Sequence, residues 1–80
     1  MRTVYLLRGI NHSSRTYVGV TDDLPSRLKQ HNSGQSPHSS KFAPWQCVLS
    51  VQFKDNWKAD AFERYLKTGS GRAFAKRHFW

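Results

Sequence analysis

Four kinds of side chain in this sequence could act together on a phosphodiester. Tyr5 and Tyr17 lie in two separate strand-like stretches, RTVYLLRG and RTYVGV. Arg27 and His31 stand one helical turn apart in DLPSRLKQHNSG. Glu63, in AFERYLKTGSGR, is the only glutamate in a chain with 13 Lys+Arg, 5 Asp+Glu and a formal net charge of +8. A divalent cation takes hard oxygen ligands, and one carboxylate serves if water and phosphate complete the shell. Such an ion neutralises charge growing on a leaving oxygen. An arginine grips a phosphate through its planar fork. A phenol or imidazole can take the proton from an attacking water. The phenol needs help from nearby positive charge, because its ordinary pKa is about 10.

Other chemistries fit the residues less well. A structural zinc site needs about four Cys/His ligands at short spacings. Here Cys47 is alone, and His12, His31, His38 and His78 are scattered. There is no P-loop pattern, and Cys47 falls on the apolar face of a strand. Single-residue caps at helix starts account for most of the aspartates.

The elements that must position these groups can be read from periodicity. RTVYLLRG is a strand with Tyr5 and Leu7 on one face, Val4 and Leu6 on the other. INHSS turns the chain into RTYVGV, so Tyr5 and Tyr17 can share a face, with Gly19 leaving room beside them. TDDLPSRLKQHNSG is a helix, capped by Asp22 or Asp23, with Pro25 in its first turn and Gly34 as its stop. Its inward stripe is Leu24, Arg27, Leu28, His31; two polar members on an inward face conflict with the pattern, as functional sites often do. QSPHSSKFAP is a loop. In WQCVLSVQF, Trp45, Cys47, Leu49, Val51 and Phe53 are expected on one face. DNWKADAFERYLK is a helix capped by Asp55 or Asn56, with Trp57, Ala61, Phe62, Tyr65 and Leu66 on its inward arc and Glu63 just past the edge. Ser70 is expected to cap a final short helix, RAFAKRHF. The order β-β-α-β-α-α makes a small α+β domain, a three-stranded, mostly antiparallel sheet flanked by helices. Eighty residues are expected to form one domain, 1–80.

Composition bounds the partners. Aromatics are 14% of the chain, which argues against disorder. One cysteine excludes an internal disulfide and suits a reducing compartment. No apolar run approaches the roughly 20 residues of a membrane span, and no signal-peptide core is present. The positive charge suits a polyanionic partner, against the plainer reading that it serves solubility. Arg72, Lys76 and Arg77 are candidate backbone contacts, as is Lys41 beside Phe42 in the loop. Plain readings stand beside the functional ones. Glu63 pairs with Lys67 at i+4 on a solvated helix face, Arg27 buries its stem against Leu24 and Leu28, His31 caps its helix end, and Tyr5 is core.

At these residues the sequence resembles the GIY-YIG nuclease family, and is most similar to its small, free-standing bacterial members. The resemblance runs from Val4 to Phe79. The first motif stands here as VYL, keeping Tyr5; the second as YVG, keeping Tyr17 and Gly19. Arg27 and His31 match the family's R-x-x-x-H, and AFERYLK matches the segment carrying its metal-binding glutamate, at Glu63. The resemblance implies a GIY-YIG-like fold and divalent-metal-dependent endonuclease cleavage of nucleic acid, usually DNA. It implies one Mg²⁺ or Mn²⁺ ion on Glu63, and Arg27 on the scissile phosphate. Tyr5, Tyr17 and His31 would position or deprotonate the attacking water. A bacterial cytoplasmic setting is implied, and a monomer is the default, with strand edges that would allow a dimer. Two positions depart from the family pattern. Val20 stands where some members have lysine, and Ala75 near where many have asparagine. These departures favour the alternative, a binding module that keeps the fold without efficient cleavage.

Overall fold

The alternation in RTVYLLRG decides the architecture. Val4, Tyr5, Leu6 and Leu7 of β1 (Arg2–Gly9) are all buried, Val4 and Leu6 in one cluster, Tyr5 and Leu7 in another. A strand that is apolar on both faces must be covered on both. The computed structural model, which describes residues 1–34 and 39–80, shows how. β1 is the middle of a three-stranded antiparallel sheet, order β2-β1-β3, between β2 (Thr16–Thr21) and β3 (Trp45–Phe53). Helix α1 (Leu24–Asn32) and a short 3₁₀ turn (Ser40–Phe42) cover the Tyr5 face. Helices α2 (Asn56–Leu66) and α3 (Gly69–His78) cover the Val4 face. The α+β class and the order β-β-α-β-α-α are as the sequence predicts. Residues 35–38 of the expected Ser/Pro loop, with Pro37 and His38, lie outside the described residues. Among those described, no helix is long and apolar enough to cross a membrane.

Helix α1 follows its sequence signals. The Asp23 side chain accepts from the Ser26 N–H at 3.3 Å, Pro25 sits in the first turn, and Gly34 follows the end at φ +85°, where glycine is at ease. Leu24, Leu28 and His31 face inward as expected.

β3 differs from its pattern. Leu6 pairs with Leu49 but Leu7 pairs with Cys47, so Val48 is an extra residue opposite β1. Side chains alternate with period two, so one extra residue reverses the faces beyond it. Trp45 and Cys47 therefore join the Tyr5 cluster, and Leu49 and Phe53 join the Val4 cluster. The single apolar face read from the sequence is in fact split between the two layers.

Helix α2 is rotated from its expected arc. Its inward stripe is Ala59, Phe62, Glu63 and Leu66, an i, i+3, i+4, i+7 set. Trp57 is 68% exposed and Tyr65 faces outward, contrary to the reading of both as core-facing. Large rings at positions 57 and 65 mimic an inward face; the small Ala59 is what lets the helix approach the sheet. Glu63 thus belongs to the stripe itself. Helix α3 begins earlier than expected, at Gly69, and its cap is Thr68 rather than Ser70. The Thr68 hydroxyl accepts from the Gly71 N–H at 3.1 Å.

Candidate active site and its groove

The β1–β2 register builds the first part of the site. Gly19 lies opposite Tyr5, and Tyr17 lies opposite Leu7. The two tyrosines are therefore diagonal neighbours on one face, with ring centroids 6.1 Å apart and planes inclined by 24°. A Cβ on Gly19 would fall 2.5 Å from both Cζ and Oη of Tyr5 and 3.0 Å from Cε1 of Tyr17. Gly19 is the space the Tyr5 ring occupies. Gly19→Ala is expected to cost about 1–3 kcal/mol by overpacking. In a domain of this size that lowers the melting temperature by at least roughly 4 °C. A melt unchanged from the parent would show that the rings have slack to spare.

His31 completes a buried chain of hydrogen bonds. Its Nε2 lies 3.0 Å from the Tyr5 hydroxyl and its Nδ1 2.6 Å from the Ser39 hydroxyl, and its ring centroid is 4.6 Å from that of Tyr17. Tyr5 is 1% exposed and His31 0%. The imidazole points inward and does not cap α1. Ser39 is fixed in turn, its carbonyl accepting from Trp45 Nε1 at 2.7 Å. Asn32 holds the backbone of the same tryptophan, accepting from its N–H at 2.6 Å and donating to its carbonyl at 3.3 Å. Asn32 and Ser39 were not singled out from the sequence; the adjacency His31–Asn32 was the available signal.

Burial, and secondarily the Arg27 charge, hold the His31 pKa below its ordinary value. The ring is then neutral, donating at one nitrogen and accepting at the other. The hydroxyls of Tyr5 and Ser39 are accordingly set in opposite senses. Burial pushes the Tyr5 pKa up, opposed by Arg27. Arg27, half-buried on α1, also donates from Nη1 to Gln30 Oε1 at 2.9 Å. Its own pKa is raised, first by the nearby Tyr5 hydroxyl and also by that of Tyr17. One cation therefore serves both phenols.

These shifts predict a pH profile of stability. Below about pH 6.5 the unfolded chain protonates His31 before the folded one does, so stability falls as pH drops toward the lowered folded value. Above about pH 10 the unfolded chain loses the Tyr5 proton first, so stability falls again as pH rises toward the raised folded value. Thermal melts across pH should show both losses, and His31→Gln should flatten the acid limb relative to the parent. An acid limb equally steep in that variant would assign the loss to other groups.

The second part of the site is a groove of about 580 Å³ along the outer side of β2. Tyr17 lines it from the strand, Lys67 from the end of α2, Arg72 and Lys76 from α3, and Trp80 closes it. Glu63 Oε2 lies 2.6 Å from Lys67 Nζ, and its side chain is only 14% exposed. Every other carboxylate has a structural task. Asp23 caps α1, Asp22 and Asp60 bind Arg2 at 3.4 and 3.3 Å, and Asp55 pairs with Lys58 at 3.6 Å. Glu63 alone is paired with a residue of the groove.

The sequence-predicted residues thus fall into groups. Tyr5, Tyr17, Arg27 and His31 converge on one face of the sheet. Glu63 lies on the helix behind the other face and reaches the groove rim through Lys67, with Tyr17 bordering both regions. Arg72 and Lys76 line the groove, whereas Arg77 borders a separate, shallower depression with Phe74 and His78. Lys41 is exposed on the 3₁₀ turn. Val20 packs in the Val4 cluster, and Ala75 is buried at the groove wall, where its carbonyl accepts from two backbone N–H groups. Among the described residues no three His, Cys, Asp or Glu side chains gather as a metal-ligand cluster.

The model of the GIY-YIG catalytic domain matches residues 1–77. "Structure-specific endonuclease subunit SLX1" of Cryptococcus neoformans is 33% identical over 78 residues, covering 79% of this chain and 16% of its own length. The SLX1 homolog of Drosophila mojavensis is 33% identical over 82 residues, covering 80% of this chain and 27% of its own length. "Structure-specific endonuclease subunit SLX1" of Candida dubliniensis is 35% identical over 82 residues, covering 94% and 27%. The chain spans little more than a quarter, at most, of the length of these three curated relatives, none of which is bacterial. Since the family match covers residues 1–77, all three strands and the helices but for the last residue of α3, the chain belongs to the GIY-YIG family.

Proposed function

We propose that residues 1–80 form a nuclease domain that hydrolyses phosphodiester bonds in DNA with the help of one Mg²⁺ or Mn²⁺ ion. One observation carries this reading: Tyr17 borders both the buried Arg27 cluster and a cationic groove whose rim holds Glu63 through Lys67. The Glu63 carboxylate suits a divalent ion. It is a hard oxygen donor, mostly withdrawn from water, and the Lys67 ammonium already stands against it as a cation. The ion, when bound, supplies charge neutralisation at the leaving oxygen. Arg27 steadies the scissile phosphate through its fork. Tyr17, the more exposed of the two phenols, takes or orients the proton of the attacking water. Tyr5 and His31 are too buried to touch that water. They act by holding Arg27 and Tyr17 in place, and Ser39 holds His31. The relatives' names, structure-specific endonuclease subunits, extend the reading to DNA recognised by shape and to a domain that works beside further protein.

A second reading, binding without cleavage, is favoured by the same ion pair, because Lys67 already neutralises Glu63. Single-stranded, duplex and branched DNA and RNA, incubated with Mg²⁺ or Mn²⁺ or with chelator, separate the two. Cleavage that needs the metal and disappears in Glu63→Gln supports the nuclease. Salt-sensitive binding by both proteins without cleavage of any substrate supports the binder.

A further inference from the structure

We propose that the groove beside β2 is a track for a single-stranded stretch of DNA, with Trp80 as the platform on which one unpaired base stacks. The inference deepens the nucleic-acid reading of this site and rests on it.

Trp80 is the unexpected member. It is fastened at several points. Its N–H donates to the Ala75 carbonyl at 2.9 Å, beside that of Phe79 at 2.7 Å. Its own carbonyl accepts from Arg8 Nη2 at 3.2 Å, and the Arg8 guanidinium carbon lies 5.5 Å from the indole centroid. The residue packs, partly buried, against the Val4 cluster and still lines the open groove. An aromatic ring that is held in place and left partly open is what a nucleobase needs as a stacking partner.

The rest of the groove suits a sugar–phosphate backbone. Lys67, Arg72 and Lys76 line it, and no Asp or Glu side chain does. Arg72 and Lys76, four residues apart on one face of α3, have no acidic partner among the described residues. Like charges placed together without counter-charge favour an anion between them. A groove of about 580 Å³ is on the scale of a small ligand, enough to seat a base with its sugar and phosphate. Tyr17 lies on the same wall, so a strand on this track runs past the reacting phenol.

Binding measured without cleavage tests this. Glu63→Gln protein in chelator is titrated against labelled oligodeoxythymidine, the same oligonucleotide with one abasic position moved along it, and a blunt duplex, at several salt concentrations. Trp80→Ala in that background should bind the unpaired oligonucleotide about tenfold or more weakly, with little change for the duplex. One abasic position should weaken the Trp80 protein but not the Trp80→Ala protein, and Trp80→Phe should retain most of the affinity. Arg72→Ala with Lys76→Ala should make the salt slope shallower by roughly 1.4, the value for two single-strand phosphates. The proposal is overturned if a folded Trp80→Ala binds like its parent, loses unpaired and duplex DNA equally, or responds to the abasic series as the parent does. If metal-dependent cleavage by the unmutated chain persists alongside such a result, the track fails and the nuclease reading stands.

Discussion

Glu63→Gln is expected to slow cleavage by about three orders of magnitude at saturating metal, while folding and oligonucleotide binding change little. The substitution keeps the volume of a side chain that is 14% exposed and removes only its charge. Metal-ion stabilisation of a reacting phosphate contributes several kcal/mol, and each 1.36 kcal/mol is a tenfold change in rate. No second carboxylate stands by to take over, since the four aspartates are engaged in a cap or in pairs with Arg2 and Lys58. The cost to stability is small. An i, i+4 pair whose lysine is 54% exposed contributes a few tenths of a kcal/mol once solvent screening is counted. Single-turnover rates measured over a metal titration, with melts in parallel, check both halves. A variant within tenfold of its parent at every metal concentration would remove Glu63 from the reaction.

The second large effect is structural. Gly71→Ala is expected to cost more than about 3 kcal/mol, out of a total near 5–15 kcal/mol for a domain. The added Cβ would land on the Tyr65 carbonyl, 2.5 Å from its carbon and 2.7 Å from Leu66 Cα. These are backbone atoms at the end of α2, so no rotamer change relieves the contact. The close approach of α3 to α2 would be lost, and with it the burial of Ala75 and the seat of Phe79 and Trp80. Gly69, two residues earlier, has nothing within 4 Å of its would-be Cβ. Gly69→Ala should therefore be neutral or stabilise by up to about 1 kcal/mol through helix propensity. Chemical denaturation of the two variants makes the comparison. Equal midpoints would show that the α2–α3 junction opens without cost.

Local chemistry was the legible part of this sequence. Asp23, Pro25 and Gly34 announce α1 at both ends, and alternation in β1 foretells its two buried faces. The tyrosine pair was legible because Gly19 leaves room beside it. What failed depends on neighbours that sequence does not display. Ring size misled at Trp57 and Tyr65, since the sheet admits only small Ala59 at closest approach. That error placed Glu63 beyond the stripe it belongs to. The interior bonds of His31 depend on Ser39, eight residues on, and no periodicity marks such a pair. The fastening of Trp80 was not legible either, because it comes from Arg8, 72 residues away in sequence.

Val48 contributes almost nothing through its own side chain, yet as an unpaired residue it lets Cys47 and Leu49, two positions apart, face opposite layers. Drawn into the ladder opposite Leu7, it would turn Trp45 toward α2. Asn32 would then lose the peptide it clasps, Ser39 the indole that steadies its carbonyl, and His31 a fixed hydroxyl. Removing Val48 keeps the present partners instead, because Cys47 still meets Leu7 and Leu49 still meets Leu6. Spacing here outranks identity: a conservative exchange at Val48, or its deletion, should leave the support of His31 standing, since the pairing on either side of that position is what aims Trp45.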